Sequence, residues 1–130
     1  MYALNMELFT DKLTQGFRLQ CEVSQCAYSI AYCYVDNSWT GHCYIDKKHQ
    51  GKLIIKDIPD YIEQLKKHNY TDDAHVFTVF LELFHELEKI QRVDVSTLQN
   101  FMHEMTQGKH INSNYFLGAE KFSIESDRLH

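Results

Sequence analysis

Four cysteines are the first candidates for chemistry in this sequence, because thiolates bind metal ions and act as nucleophiles. Cys21, Cys26, Cys33 and Cys43 are separated by four, six and nine residues, so there is no Cys-x-x-Cys pair typical of a zinc ribbon or a thioredoxin-like centre. A site made from Cys33, His42 and Cys43 is the best metal candidate, but strand alternation places His42 on the opposite face from Cys43. We therefore predict no metal and no cofactor, with Cys21, Cys33 and Cys43 as small buried core residues.

Glutamate and histidine pairs are the second candidates, because suitable spacing on a helix can create a metal or acid–base site. Glu82 and His85 have the Glu-x-x-His spacing of di-iron bundles, but those bundles need a second such motif and this chain has one copy. His85-Glu86 and His103-Glu104 do not extend to the His-Glu-x-x-His motif of metalloproteases. The sequence also lacks a phosphate-binding glycine loop and a Gly-x-Ser-x-Gly motif. We predict no catalytic residue and favour a protein that is not an enzyme; a Cys/His pair assembled only by folding is the open alternative.

Aromatic residues are the strongest candidates for binding, because they combine a large contact area with few rotatable bonds. If the loop after the second strand is centred on Ser38, Tyr34 lies opposite His42 and Cys33 lies opposite Cys43. We then predict a partner-binding surface on one face of the sheet, formed by Tyr32, Tyr34, Trp39, His42 and Tyr44. The alternative is that an N-terminal helix covers these tyrosines and makes them part of the core.

The negative charge of the chain is concentrated in its second half. Residues 1–71 contain eight acidic and eight basic residues, whereas residues 72–130 contain ten acidic and five basic residues. An acidic protein repels phosphate, so we predict no direct nucleic-acid partner. The second candidate surface is therefore acidic, formed by Asp72, Asp73, Glu82 and Glu86, and it would suit a basic protein partner. Ordinary solvation of helical faces is the alternative explanation.

Apolar residues in the first 55 positions predict one helix followed by an antiparallel sheet. Asn5 to Gln15 has apolar residues at helical spacing, with Gly16 positioned to end the helix. From Phe17 to Ile55 the pattern alternates with a period of two, which predicts three or four strands. The segment Cys26 to Asp36 alternates tyrosines and isoleucine with Ala, Ser and Cys. We expect helices to pack on its small-residue face and the tyrosines to face outward.

The second part of the chain, residues 57–108, has the spacing of three helices. The first begins near Pro59, and the second, Ala74 to Gln91, has one polar stripe and a wide apolar surface, which predicts a central core helix. Ser96 and Gln99 have the form of a capping box that opens the third helix, which ends at Gly108. Residues 109–130 are predicted to be a loop and a tail.

Together these patterns predict one α+β domain over residues 1–130. Hydrophobic and charged residues make up 44% and 24% of the chain, and no apolar run is long enough to cross a membrane. No signal peptide is apparent, so we expect a cytoplasmic protein. The favoured function is a small soluble protein-interaction module that binds and blocks or escorts a partner, of the immunity, inhibitor or chaperone type. A homodimer is a further alternative, as is a small enzyme or ligand-binding protein with a pocket between sheet and helices.

Overall fold

The computed structural model describes residues 4–10, 15–23, 26–45, 51–90, 93–107 and 123–126, which form an α+β fold. Its sheet has six strands in the order β5-β4-β3-β2-β1-β6, and every neighbouring pair is antiparallel except β1 and β6, which are parallel. The strands are β1 Leu4–Thr10, β2 Gln15–Val23, β3 Cys26–Val35, β4 Ser38–Ile45, β5 Gly51–Ile54 and β6 Ser123–Ser126. The helices are α1 Ile58–Lys67, α2 Thr71–Leu87 and α3 Val95–Thr106, with one 3₁₀ turn, Ile55–Asp57, before α1.

The prediction of an N-terminal helix is wrong, because residues 4–10 form the strand β1. Met6 and Leu8 are buried while Asn5 is exposed, so the segment follows the two-residue period of a strand. Met6 pairs with Leu19 of β2, which continues the buried face of the sheet by one more strand. The sheet is therefore larger than the predicted three or four strands, with five antiparallel strands in sequence and β6 added beside β1.

One face of the sheet is buried under the helices. Paired residues of an antiparallel sheet share a face, and the pairs Leu19–Ile30 and Ile30–Cys43 lie wholly within the core. Tyr28 and Tyr32 also lie on this face and are fully buried. The small residues of β3 lie on the other face, so the predicted assignment of the two faces is reversed. The buried side chains of β3 are Cys26, Tyr28, Ile30 and Tyr32.

A tight turn after β3 sets the register of the next strand. Asp36 and Asn37 have φ angles of 54° and 63°, and they form the two-residue loop between β3 and β4. Asp and Asn tolerate the left-handed region that such hairpin loops require. Cys33 therefore pairs with Thr40, rather than with Cys43 as predicted. The observed partner of Cys33 lies three residues from the predicted one. Because this shift is an odd number of residues, it exchanges the two faces of β4 relative to β3.

The three predicted helices are present, with small differences at their ends. The wide apolar surface of α2 is buried as predicted: Phe77, Phe80, Phe84 and Leu87 are buried, and Leu81 is half-buried. Helix α3 buries one apolar face as predicted, but its N-cap is Asp94 rather than Ser96. The Thr97 amide donates a hydrogen bond of 2.8 Å to the Asp94 carboxylate. The buried residues of α3 are Leu98, Phe101, Met102 and Met105.

Two further predictions concern the end of the chain and the membrane. The predicted loop 109–118 lies outside the described residues, and the predicted tail contains the strand β6. Strand β6 pairs in parallel with β1, near the other end of the sequence. The pattern of residues 123–126 alone does not predict this long-range pairing. Across the part of the chain that the structure describes, no helix combines the length and apolar character needed to span a membrane.

Candidate functional site

Two buried tyrosines connect the sheet to helix α2. The Tyr28 hydroxyl donates a hydrogen bond to the carboxylate of Asp73, which lies in the first turn of α2 and is 3% exposed. The Tyr32 hydroxyl donates to the main-chain carbonyl of Phe80, two turns further along the same helix, at 2.7 Å. Both tyrosines therefore have a structural function, because each satisfies a polar group that packing removes from water.

The surroundings of Asp73 keep nearby groups protonated. Burial, reinforced by the negative charge of Asp73, raises the pKa of the Cys21 thiol to about 12. Burial also raises the pKa of Tyr61, with smaller contributions from Cys26 and Asp73. A thiol with a raised pKa is a poor nucleophile, since the thiolate is the reactive form. Cys21 is therefore a packing residue and not an activated nucleophile.

The aromatic surface predicted from sequence is divided between the two faces of the sheet. Tyr34 pairs with Trp39, their ring centroids are 5.3 Å apart, and Trp39 is only 8% exposed. Tyr32 lies on this helix-covered face as well. His42 pairs with Ala31 and lies on the opposite face with Tyr44, which is 47% exposed. The predicted single surface of Tyr32, Tyr34, Trp39, His42 and Tyr44 is thus not formed, because the register of β4 differs from the expected one.

The second candidate surface is also only partly assembled. Asp72 is exposed, but Asp73 is buried and bonded to Tyr28, so it is not available at the surface. Glu82 is half-buried, and burial raises its pKa. Glu86 is half-buried, and its carboxylate accepts a hydrogen bond of 2.6 Å from the Lys89 ammonium group, which forms an ion pair. The surface that remains of this prediction comprises Asp72, Glu82 and Glu86.

The cysteines follow the same division between faces. Cys21 and Cys43 are buried as predicted, and burial raises the pKa of Cys43 to about 12. Cys33 is half-buried on the face away from the helices, so the prediction of a core position is wrong for this residue. His42 and Cys43 lie on opposite faces, as expected from alternation. Among the described residues, no group of three or more His, Cys, Asp or Glu side chains is arranged to hold a metal ion.

The face of the sheet away from the helices contains a groove that the sequence analysis did not predict. Its floor is the run of small, half-buried side chains on β3, and exposed or half-buried side chains of β2 and β4 stand on either side. We call this feature the β3 groove. Its floor consists of Ala27, Ser29, Ala31 and Cys33; its β2 wall consists of Arg18, Gln20 and Glu22; and its β4 wall consists of Thr40, His42 and Tyr44.

One end of the β3 groove contains a concavity. Its volume is about 340 Å³, and Tyr44 stands there opposite Gln20 and Glu22. The ammonium group of Lys52, on β5, lies 5.9 Å from the centroid of the Tyr44 ring. Remaining lining residues are Asn5, Cys21, Ala27, Tyr28 and Ser29. The concavity combines one large aromatic ring with amide, hydroxyl and carboxylate groups, which suits recognition of a partly polar surface.

The two sides of the concavity carry exposed residues of opposite charge. On the β2 side, Arg18 is paired with Glu7 of β1 at 2.8 Å, and Glu22 is exposed. On the other side, Lys52 is exposed on β5 beside Tyr44. A cation therefore stands on one side of the concavity and a carboxylate on the other. A ligand that crosses the groove meets opposite charges at its two sides.

The alternation of small and large residues on β3 was visible in the sequence, and the groove could have been found from it. The sequence does not show which face of β3 the helices cover, because Ala and Ser can lie under helices as readily as in a groove. Comparison of the chain with protein-family models, with curated proteins and with solved structures finds no match. Function is therefore argued from the geometry of the groove.

Proposed function

We propose that this protein is a protein-interaction module that binds a partner protein through the β3 groove. The observation that supports the proposal is the continuous floor of small side chains at the centre of the sheet, on the face that the described helices leave uncovered. Among the described residues, helices α1, α2 and α3 pack on the opposite face. A central strand of a sheet with one such face is a surface on which another element can pack closely.

The composition of the groove favours tight contact at low entropic cost. Ala, Ser and Cys side chains have few rotamers to lose when a partner covers them. Tyr44 adds a large, rigid ring at the concavity, and tyrosine is enriched among residues that dominate binding energy. His42 and Tyr44 belong to the surface that we predicted from sequence, whereas Tyr32, Tyr34 and Trp39 are assigned to the core side in this proposal.

The biological setting of the proposal is the one that the sequence suggested. A module that blocks or escorts its partner, of the immunity, inhibitor or chaperone type, needs a binding surface and no catalytic group. We place it in the cytoplasm, where the four free cysteines would stay reduced. The exposed Asp72 and the half-buried Glu82 and Glu86 provide a second surface for a basic partner.

The test is to fill the groove without disturbing the core. Ala31→Arg places a long side chain on the floor, and Gln64→Arg places the same side chain on an exposed position of α1. Both variants should melt close to the parent protein, because neither position is in the core. Capture of partners from native lysate should fall at least tenfold for Ala31→Arg and remain unchanged for Gln64→Arg. Equal capture by both variants would reject the groove as the binding surface.

A small-ligand-binding protein is the second candidate function. The concavity of about 340 Å³ beside Tyr44 is within the size range of small-molecule sites, and Asn5, Gln20 and Ser29 contribute polar groups to its lining. Native mass spectrometry of protein purified from its own cells separates the two functions. A retained small molecule that Tyr44→Ala loses would support the ligand, whereas a retained polypeptide that Ala31→Arg loses would support the module.

A further inference from the structure

We propose that the segment of the partner that occupies the β3 groove is an α-helix lying along β3. This inference rests on the proposed function and specifies the partner's chemistry. The floor from Ala27 to Cys33 covers six residue steps, which is about 20 Å along a strand. A helix of about 13 residues has the same length. The occupant is therefore a short amphipathic helix of another protein.

The shape of the groove fits a convex rod. Strands β2 and β4 lie on either side of β3, so the backbones that carry the two walls are about 9.6 Å apart at two strand spacings. An α-helix, whose diameter is about 10 to 12 Å with its side chains, is too wide to lie between the walls, so it would rest over the floor with one stripe of its side chains in the groove. Small residues under the axis of such a helix let its backbone approach the sheet, while the taller wall residues contact its flanks. Helices that cover sheets in α/β and α+β folds bury their apolar stripe in this way.

Two other occupants fit the described surface less well. An extended peptide that adds to a sheet edge gains main-chain hydrogen bonds in proportion to edge length, and the edge strands β5 and β6 each contribute four residues to the described part of the chain. A second copy of this chain, packed face to face, would set one floor of Ala, Ser and Cys against another. Facing sheets are stabilised by side chains that interdigitate, and two concave floors would leave a gap between them.

Charge on the two sides of the groove specifies the partner's flanks. Lys52 is exposed on the β5 side, and Glu22 is exposed on the β2 side. Arg18 is neutralised by its pair with Glu7 and adds little to either side. We therefore expect acidic residues on the flank of the helix that faces Lys52 and basic residues on the flank that faces Glu22. A stripe of apolar residues between these flanks would rest on the floor, with one bulky side chain in the concavity beside Tyr44.

The spacing of photocrosslinks measures the conformation of the bound segment. The probe is p-benzoylphenylalanine, introduced singly at Gln20 and Glu22 on the β2 wall and at Thr40 and Tyr44 on the β4 wall. Each full-length variant is irradiated with the captured partner, and the crosslinked partner residue is located by mass spectrometry. The control position is Glu63, which is exposed on α1 away from the groove.

A helix and an extended chain give different spacings. Gln20 and Glu22 are about 6.6 Å apart along the strand, which equals about four residues of a helix but two residues of an extended chain. Thr40 and Tyr44 are about 13 Å apart, which equals about nine residues of a helix but four of an extended chain. We expect the helical spacing from both pairs, in a consistent direction.

The other outcomes refute separate parts of the argument. Partner crosslinks with the extended spacing would overturn the helix and leave the interaction module intact. Crosslinks between two copies of this chain would replace the partner helix by a homodimer. Products from Glu63 alone, or from no position, would refute the groove itself and with it the proposed function. Reversing the charge with Lys52→Glu should weaken capture several-fold at low salt and little at high salt, and equal weakening at both would overturn the acidic flank.

Discussion

Removing one hydroxyl group from Tyr28 should destabilise the protein more than removing the equivalent group from Tyr32. Both tyrosines are fully buried on β3, and both hydroxyls donate to α2. Their acceptors differ, because Tyr28 bonds to the carboxylate of Asp73 and Tyr32 bonds to the main-chain carbonyl of Phe80. The change to Phe removes only an oxygen atom, so the loss reports mainly on the hydrogen bond.

The expected magnitudes follow from the acceptors. A buried hydrogen bond to a charged group contributes about 1.5 to 3 kcal/mol, and a neutral one about 1 kcal/mol. We therefore expect Tyr28→Phe to lower the free energy of unfolding by about 2 kcal/mol and Tyr32→Phe by about 1 kcal/mol. Tyr34→Phe is the control, because Tyr34 is half-buried at the end of the same strand. Its change should stay within about 0.5 kcal/mol.

Urea denaturation at pH 7 measures these differences, with the slope of each transition checked for equality. A double-mutant cycle then isolates the contact: Tyr28→Phe should cost about 1 kcal/mol less when Asp73 is already alanine. Equal losses for Tyr28→Phe and Tyr32→Phe, together with no coupling to Asp73, would show that the Asp73 carboxylate does not hold α2 against the sheet.

Three further predictions concern the thiols, alkaline pH and one glycine. In native protein a thiol reagent should label Cys33 first, because Cys21 and Cys43 are buried with pKa values raised to about 12; equal labelling of all three would contradict this placement. These raised pKa values favour the folded state below pH 9, so the free energy of unfolding should fall as pH rises from 9 towards 12, and a flat urea midpoint over this range would refute the shift. Gly16→Ala should destabilise the fold by about 1 to 3 kcal/mol, because a Cβ at Gly16 would overlap the main-chain oxygen of Tyr32; an unchanged melting temperature would show that β2 and β3 do not approach this closely.

The presence of the strands after residue 17 and of the three helices is predictable from the sequence, because each element has a clear hydrophobic period. The sequence does not predict β1, since Met6, Phe9 and Leu13 also satisfy a helical spacing over one short segment. The strand forms there because Met6 and Leu8 complete the buried face beside β2. Pairing with a neighbouring strand decided the structure, and local propensity did not.

The candidate site was only partly predictable for a related reason. Strand β3 has large residues on one face and small residues on the other. This pattern alone is compatible with helices packed on either face. In the folded protein α2 lies on the face of the large residues, where the Tyr28 hydroxyl donates a hydrogen bond to the buried carboxylate of Asp73. The register of β4 depends on a two-residue loop at Asp36 and Asn37, which the sequence analysis extended into a longer turn around Ser38.

The same register makes stability and binding separable in this protein. Alternation on β3 assigns Tyr28 and Tyr32 to the core and Ala31 to the groove, so changes at neighbouring positions act on different properties. A one-residue shift of β4 against β3 would have a different effect, because it would exchange the faces of β4 while leaving β3 unchanged. His42 would then turn towards the core and Cys43 towards the groove. Folding and the shape of the groove therefore both depend on the short loop at Asp36 and Asn37, although neither residue lies in the core or in the groove.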